Sequence, residues 1–157
     1  MTNAQCSIPA IPRNRLVGWL LVGAGVIGML TGAVPFIINA ARIGGGEAWW
    51  HASDWAGHGV ESLGLSVEWG MLSSAMGLCL GFLLLWAGAC WLRGRDHAAA
   101  VTWAYVLAGL TVNIADMYIF ALRARPGPMR TSMLWADAAA LTLPVVLGIW
   151  LTLRRRK

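Results

Sequence analysis

The sequence predicts an all-α integral membrane protein, a bundle of four transmembrane helices. Hydrophobic residues make up 58% of the 157 residues and charged residues only 12%, too few to cover the surface of a soluble domain. The apolar residues form four runs, each long enough to cross a bilayer, which takes about 20 helical residues. Lipid excludes open sheets and irregular chain, so these runs must be helical. The predicted spans are 16–41, 69–92, 98–122 and 133–153, within one membrane domain of residues 1–157.

The first span follows Arg13 and Arg15 and has the general character of a signal peptide. It is long, however, and no cleavage site of small residues follows it, so we expect a helix that the protein retains.

The segment 43–68 differs from the four spans because it alternates glycines, tryptophans and spaced polar residues. Helical spacing places one set of its side chains on a common face. This set comprises His51, Asp54, His58, Glu61, Leu65 and Glu68. Tryptophan is favoured at the headgroup layer of a membrane, and three tryptophans lie in this segment. We therefore predict an amphipathic segment on the outer membrane surface between helices one and two.

The distribution of basic residues predicts the orientation. With both termini in the cytoplasm, eight of the twelve basic residues lie inside, and the turn 93–97 is cytoplasmic. The loop 123–130 is then on the outer side. This bias follows the positive-inside rule, and it accounts for the net charge of +5 without a nucleic-acid partner.

Two carboxylates lie inside predicted spans, where an aspartate at mid-helix costs about 2.5 to 3.5 kcal/mol. Asp116 and Asp137 belong to neighbouring helices, and both are expected in the outer half of the membrane, where they could face each other. Hydrogen bonds from Asn113, Thr131 or Ser132, or a loop arginine, would give them a purely structural role. A pair of close carboxylates that shares one proton is also the apparatus of aspartic peptide hydrolysis.

Two stretches resemble motifs of one known family. AGLTVNIAD (108–116) resembles the Gly-Gly-Ala-Leu-Gly-Asn-x-x-Asp motif of signal peptidase II, the lipoprotein signal peptidase. MLWADAAALTLPVVLGIWL (133–151) resembles the family's Phe-Asn-x-Ala-Asp-x-Ala-Ile segment, with Ala136, Asp137 and Ala139 in register.

Two further stretches match more loosely. VEWGMLSSAMG (67–77) is similar to the family's Asn-x-Gly-Ala-Ala-Phe segment, with Gly70 in place and Glu68 at the position of the Asn. GMLTG (28–32) stands where the family has Asp-Gln-x-Thr-Lys, and Gly28 and Gly32 replace the Asp and the Lys.

The resemblance implies an aspartic endopeptidase of the bacterial inner membrane that cuts the signal peptide from lipid-modified prolipoproteins. Asp137 and Asp116 would be the catalytic pair. Asn113, Ala136 and Gly70 would support the site, and Glu68, Arg123 and Arg125 would contact substrate. No metal or organic cofactor is implied, and the partners would be the prolipoprotein and membrane lipid.

Three alternatives stay open. The missing motif residues are compatible with a catalytically inactive relative that binds a lipidated peptide or a protein partner in the membrane. His51 and His58, with Glu61, offer ligands for a haem-binding or metal-binding redox subunit. Asp116 and Asp137 would also suit a small proton-coupled transporter.

Overall fold

Four α-helices form the part of the chain that the computed structural model describes, residues 13–43 and 63–155. We number them α1 (Arg13–Ile43), α2 (Val67–Leu92), α3 (Ala98–Leu122) and α4 (Pro128–Arg155). Each is long and apolar enough to cross a membrane, and no strand occurs within the described ranges. The predicted fold class, a four-helix membrane bundle, is confirmed.

The helix bounds agree with the predicted spans most closely at α3, which occupies residues 98–122 as expected. The largest difference is at α4, which begins five residues before the predicted Met133. The polar first turn, with Arg130, Thr131 and Ser132, interrupted the apolar pattern on which the prediction relied. Pro128 suits the first position of a helix, because its fixed φ is helical and a first-turn N–H has no intrahelical partner in any case. The predicted outer segment likewise ends earlier than expected, because α2 already begins at Val67.

Glycines allow α1 and α2 to pack against each other at very short range. Gly18, Gly25 and Gly32 recur every seven residues along α1, and Gly81 and Gly88 are spaced likewise on α2. A Cβ added to Gly81 would lie 2.6 Å from the Met29 backbone nitrogen, and one added to Gly25 would lie 2.7 Å from that of Leu85. These positions leave no room for a side chain, so α1 and α2 form a closely packed helical hairpin.

The remaining contacts join α2 to α3 and α3 to α4, so that each helix packs mainly against its neighbours in the chain. Trp91 of α2 is anchored on α3, since its Nε1 donates to Thr102 Oγ1 at 2.9 Å. Thr102 is fully buried and its hydroxyl donates in turn to the Ala98 carbonyl. Between α1 and α4, close backbone approaches are few or absent in the described part of the chain.

Two hydrogen bonds and one side-chain contact fix the end of the bundle that was predicted to face outward. The Arg125 N–H donates to the Leu63 carbonyl at 2.8 Å, which joins the connection before α2 to the loop between α3 and α4. The Arg125 side chain lies against Gly64, whose φ of +71° favours glycine. Arg130 Nη2 donates to the Ala121 carbonyl at 2.6 Å and so satisfies a free carbonyl at the end of α3.

The outer faces of all four helices carry large apolar side chains that no other part of the described chain covers. Examples on the four helices are Trp19, Phe82, Leu107 and Trp135. In water such a continuous apolar surface would be unfavourable, whereas in a bilayer it faces lipid.

A candidate intramembrane carboxylate site

Asp116 lies on the inward face of α3 and is 7% exposed. Its Oδ2 accepts a hydrogen bond from Ser73 Oγ of α2 at 2.9 Å. Its Oδ1 is buried and has no hydrogen-bond partner within the described residues. The serine therefore fixes one carboxylate oxygen and leaves the other available.

Asp137 lies on α4 and is partly buried. Its Oδ2 is buried and, like Asp116 Oδ1, has no hydrogen-bond partner in the described part of the chain. Its helix packs against α3, which carries Asp116. The structure thus places the two aspartates that the sequence singled out on two helices that pack against each other.

The depth of Asp116 in its helix agrees with the expectation, and that of Asp137 differs from it. Asp116 is six residues from the end of α3, or roughly 9 Å at 1.5 Å per residue. Asp137 was expected four residues into its helix, but the early start of α4 places it nine residues in, or roughly 13 to 14 Å. Both aspartates are therefore well inside the bundle, away from the helix ends.

Asp116 opens into a cavity of about 570 Å³ that all four helices line. Its walls combine small residues with a few polar groups. The small and polar residues among them include Gly28, Gly32, Ser73, Ser74, Asn113, Ala139 and Ala140. Asp137 is not among the lining residues, although Ala139 and Ala140 of the same helix are.

Two prolines inside helices add polar backbone groups to this region. Pro35 in α1 and Pro144 in α4 have no N–H for the carbonyls four residues earlier, which belong to Thr31 and Ala140. Thr31 and Ala140 both line the cavity. Two residues that line the cavity therefore have backbone carbonyls without the usual intrahelical N–H partner.

Of the predicted supporting residues, Asn113 also lines the cavity, but its hydrogen bond differs from the expectation. We expected it to bridge two helices, whereas its Nδ2 donates to the Gly109 carbonyl of its own helix at 2.7 Å. Gly70 is buried in α2 and its carbonyl accepts from Ser74 Oγ at 2.7 Å. Ala136 is exposed and does not line the cavity.

The predicted substrate-contacting residues are all exposed, and none of them lines the cavity of Asp116. Glu68 is in the first turn of α2. Arg123 lines a separate, open groove of about 1040 Å³ between the start of α2 and α3, and Arg125 lies over Gly64. The structure therefore places these three at one end of the bundle without bringing them to the aspartates.

Sequence reasoning missed Ser73, the residue that holds Asp116. The structural alternative had Thr131, Ser132 or a loop arginine as partners of the aspartates. Thr131 and Ser132 instead donate to the Gly127 and Pro128 carbonyls, one turn earlier in the chain. The available signal was the Ser73–Ser74 pair, an unusual polar feature in the otherwise apolar α2.

His51, His58 and Glu61, the residues of the metal or haem alternative, lie outside the described residues. Within residues 13–43 and 63–155, no group of three or more His, Cys, Asp or Glu side chains is arranged to hold a metal ion.

The fold and the site define a multi-pass membrane protein of four helices with a pair of carboxylates inside the bundle. Comparisons with protein-family models, with curated proteins and with solved structures give no match to this chain.

Proposed function

We propose that this protein is an intramembrane aspartic endopeptidase of the signal peptidase II type. The observation that carries the proposal is that Asp116 and Asp137, on helices that pack against each other, each keep a buried oxygen without a partner in the described chain. A pair held only for structure would be expected to use all of its buried oxygens in hydrogen bonds.

The two aspartates would divide the chemistry between them. Two carboxylates at short range do not both ionise readily, so one retains a proton. The ionised group acts as general base and removes a proton from water, while the protonated group polarises the scissile carbonyl. The Ser73 hydroxyl fixes one oxygen of Asp116, so the other can point towards water or substrate.

The sparse backbone contact between α1 and α4 suits a substrate that arrives from the bilayer. A lipid-modified signal peptide is itself a membrane segment, and residues of both α1 and α4 line the cavity of Asp116. In this proposal the protein resides in the bacterial inner membrane, its termini are cytoplasmic, and cleavage occurs near the outer surface.

The test is cleavage of a purified, lipid-modified prolipoprotein by the full-length protein in detergent micelles, followed by gel shift. We expect wild type to cleave and the variants Asp116→Asn and Asp137→Asn to be inactive. Thr152→Val is the matched control, because it removes a polar group of α4 whose hydroxyl bonds only to the Gly148 carbonyl of its own helix. Failure of wild type under conditions in which a known signal peptidase II cleaves would refute the proposal.

A second candidate is a catalytically inactive relative that binds a lipidated peptide or a membrane protein, and Gly32 favours it. A Cβ at this position would lie 2.8 Å from the Leu78 backbone nitrogen, so no side chain fits where the family has a lysine. If wild type does not cleave but retains the lipidated peptide through size-exclusion chromatography, this candidate replaces the first.

The proposed orientation is tested by cysteine accessibility in cells. In a cysteine-free background, Gly127→Cys should react with a membrane-impermeant maleimide in intact cells, and Arg93→Cys only after lysis. The reverse pattern would invert the topology and place the aspartates in the opposite half of the membrane.

A further inference from the structure

A second cavity lies at the opposite end of the bundle from the loop between α3 and α4, where α2 turns into α3 and α4 ends. It has a volume of about 410 Å³. Its polar lining consists of Arg95, Asp96 and Arg154, and its apolar lining includes Trp91, Ala99 and Leu151. The site for peptide hydrolysis has no residue in common with it.

The guanidinium of Arg154 is held in place by two aromatic rings. Its Cζ lies 4.6 Å from the centroid of Trp91 and 5.5 Å from that of Trp150. The two indoles contact each other edge to face, with centroids 5.4 Å apart. Trp91 is fixed in turn by Thr102, so the arginine is stacked on a rigid support. A guanidinium that stacks on aromatic rings through its face keeps the N–H groups at its edge free to donate to a phosphate or a carboxylate.

Within residues 13–43 and 63–155, no ion pair neutralises the positive charge of this cavity. Neither Arg95 nor Arg154 pairs with a carboxylate of another described residue, and Asp96 lines the same cavity without pairing to either. Two arginines and one aspartate give the lining a formal charge of +1. The N-terminus of α3 borders the cavity, and the partial positive charge of the helix dipole at that end adds to the positive field. No acidic residue in the first turn of α3 offsets this charge.

We infer that this cavity binds the phosphate group of an anionic ligand, with Arg95 and Arg154 as its donors. The helix ends that form it lie at the level of lipid headgroups if the helices span a bilayer, and basic pockets between transmembrane helices are suited to anionic headgroups. Leu151 and Ala99 provide an apolar wall for the glycerol and the first part of an acyl chain. A soluble phosphate would present the same group to the two arginines but would have no acyl chain to contact the apolar wall.

The test uses the full-length protein in a neutral detergent and native mass spectrometry. The probe is phosphatidylglycerol, compared with zwitterionic phosphatidylcholine of the same acyl chains. Each of Arg95→Gln and Arg154→Gln should weaken phosphatidylglycerol binding about fivefold, which corresponds to about 1 kcal/mol per arginine near the surface, and the double variant about 25-fold. Circular dichroism checks that the variants are folded, and Arg154→Lys, which keeps the charge but loses the planar stack, should bind with intermediate strength.

Arg93→Gln is the matched control, because it removes the same charge at the same end of the bundle from an exposed residue outside the cavity. We expect it to retain binding within about twofold. A parallel titration with inorganic phosphate, followed by calorimetry, separates the two sources. Arginine-dependent binding of phosphatidylglycerol identifies a lipid headgroup, and arginine-dependent binding of inorganic phosphate alone identifies a soluble anion. The inference is wrong if neither probe binds more tightly than phosphatidylcholine, or if Arg93→Gln weakens binding as much as Arg154→Gln.

Discussion

The contact between α1 and α2 predicts a large difference between two glycine-to-alanine substitutions. In Gly81→Ala, the new Cβ would stand 2.6 Å from the Met29 backbone nitrogen and 3.0 Å from the Gly28 carbonyl carbon. Backbone atoms cannot rotate away, so the helices must separate. In Gly23→Ala, no atom lies within 4 Å of the new Cβ, which faces the surroundings of the bundle.

The expected quantity is the difference in unfolding free energy between the two variants. Both substitutions replace glycine by alanine inside α1 or α2, and each gains about 1 kcal/mol of helix propensity. That gain cancels between the variants. The remaining difference is the cost of overpacking at Gly81, about 1 to 3 kcal/mol, or a factor of roughly 5 to 150 in the ratio of folded to unfolded protein.

The assay is unfolding of the purified variants by a denaturing detergent added to neutral micelles, followed by circular dichroism. We expect Gly23→Ala to match or exceed the stability of wild type. Gly81→Ala should unfold at a clearly lower detergent fraction than Gly23→Ala. Equal midpoints for the two variants would show that α1 and α2 do not approach each other at Gly81, and the description of this hairpin would be wrong.

Further variants test individual hydrogen bonds by the same unfolding assay. Ser73→Ala should destabilise the protein by about 1 to 3 kcal/mol because it leaves the buried Asp116 without its donor, whereas Ser74→Ala, which loses a bond within one helix, should change stability by less than about 0.5 kcal/mol. Thr102→Val should cost about 1 to 3 kcal/mol, since the Trp91 N–H stays buried without an acceptor; Thr111→Val, at an exposed position, is its control and should be nearly neutral. Arg130→Gln should lower stability by about 1 kcal/mol through loss of the bond to the Ala121 carbonyl, and unchanged stability would assign that bond no role.

The helices were predictable from the sequence because length and apolar content alone determine which segments can cross a bilayer. The bounds of α3 were correct at both ends, since charged residues flank it closely. The start of α4 was missed, because its first turn is polar and outside the apolar run. Composition has no information about such a turn, whereas Pro128 does, through the backbone angle that it imposes.

The carboxylate pair was predictable and its serine was not, for a physical reason. Charged groups inside an apolar helix are costly and therefore conspicuous. Serines and threonines in apolar helices commonly bond to the carbonyl one turn earlier, as Ser74, Thr111 and Thr152 do here. Ser73 differs from Ser74 only in its rotation about the helix axis towards α3. That rotation is set by the packing of α2 on its neighbours, which a single sequence does not state.

The uneven packing of the four helices also has a mechanical consequence. The hairpin of α1 and α2 is packed closely through glycines, and the hairpin of α3 and α4 is joined to it mainly through the contact of α2 with α3. Two stiff hairpins that share mainly one interface can rotate relative to each other about that interface. Such a rotation would change the distance between α1 and α4 without breaking either hairpin. The volume around Asp116 would then be set by an angle between two rigid bodies, and a spin-label pair on α1 and α4 would report that angle as a distance distribution.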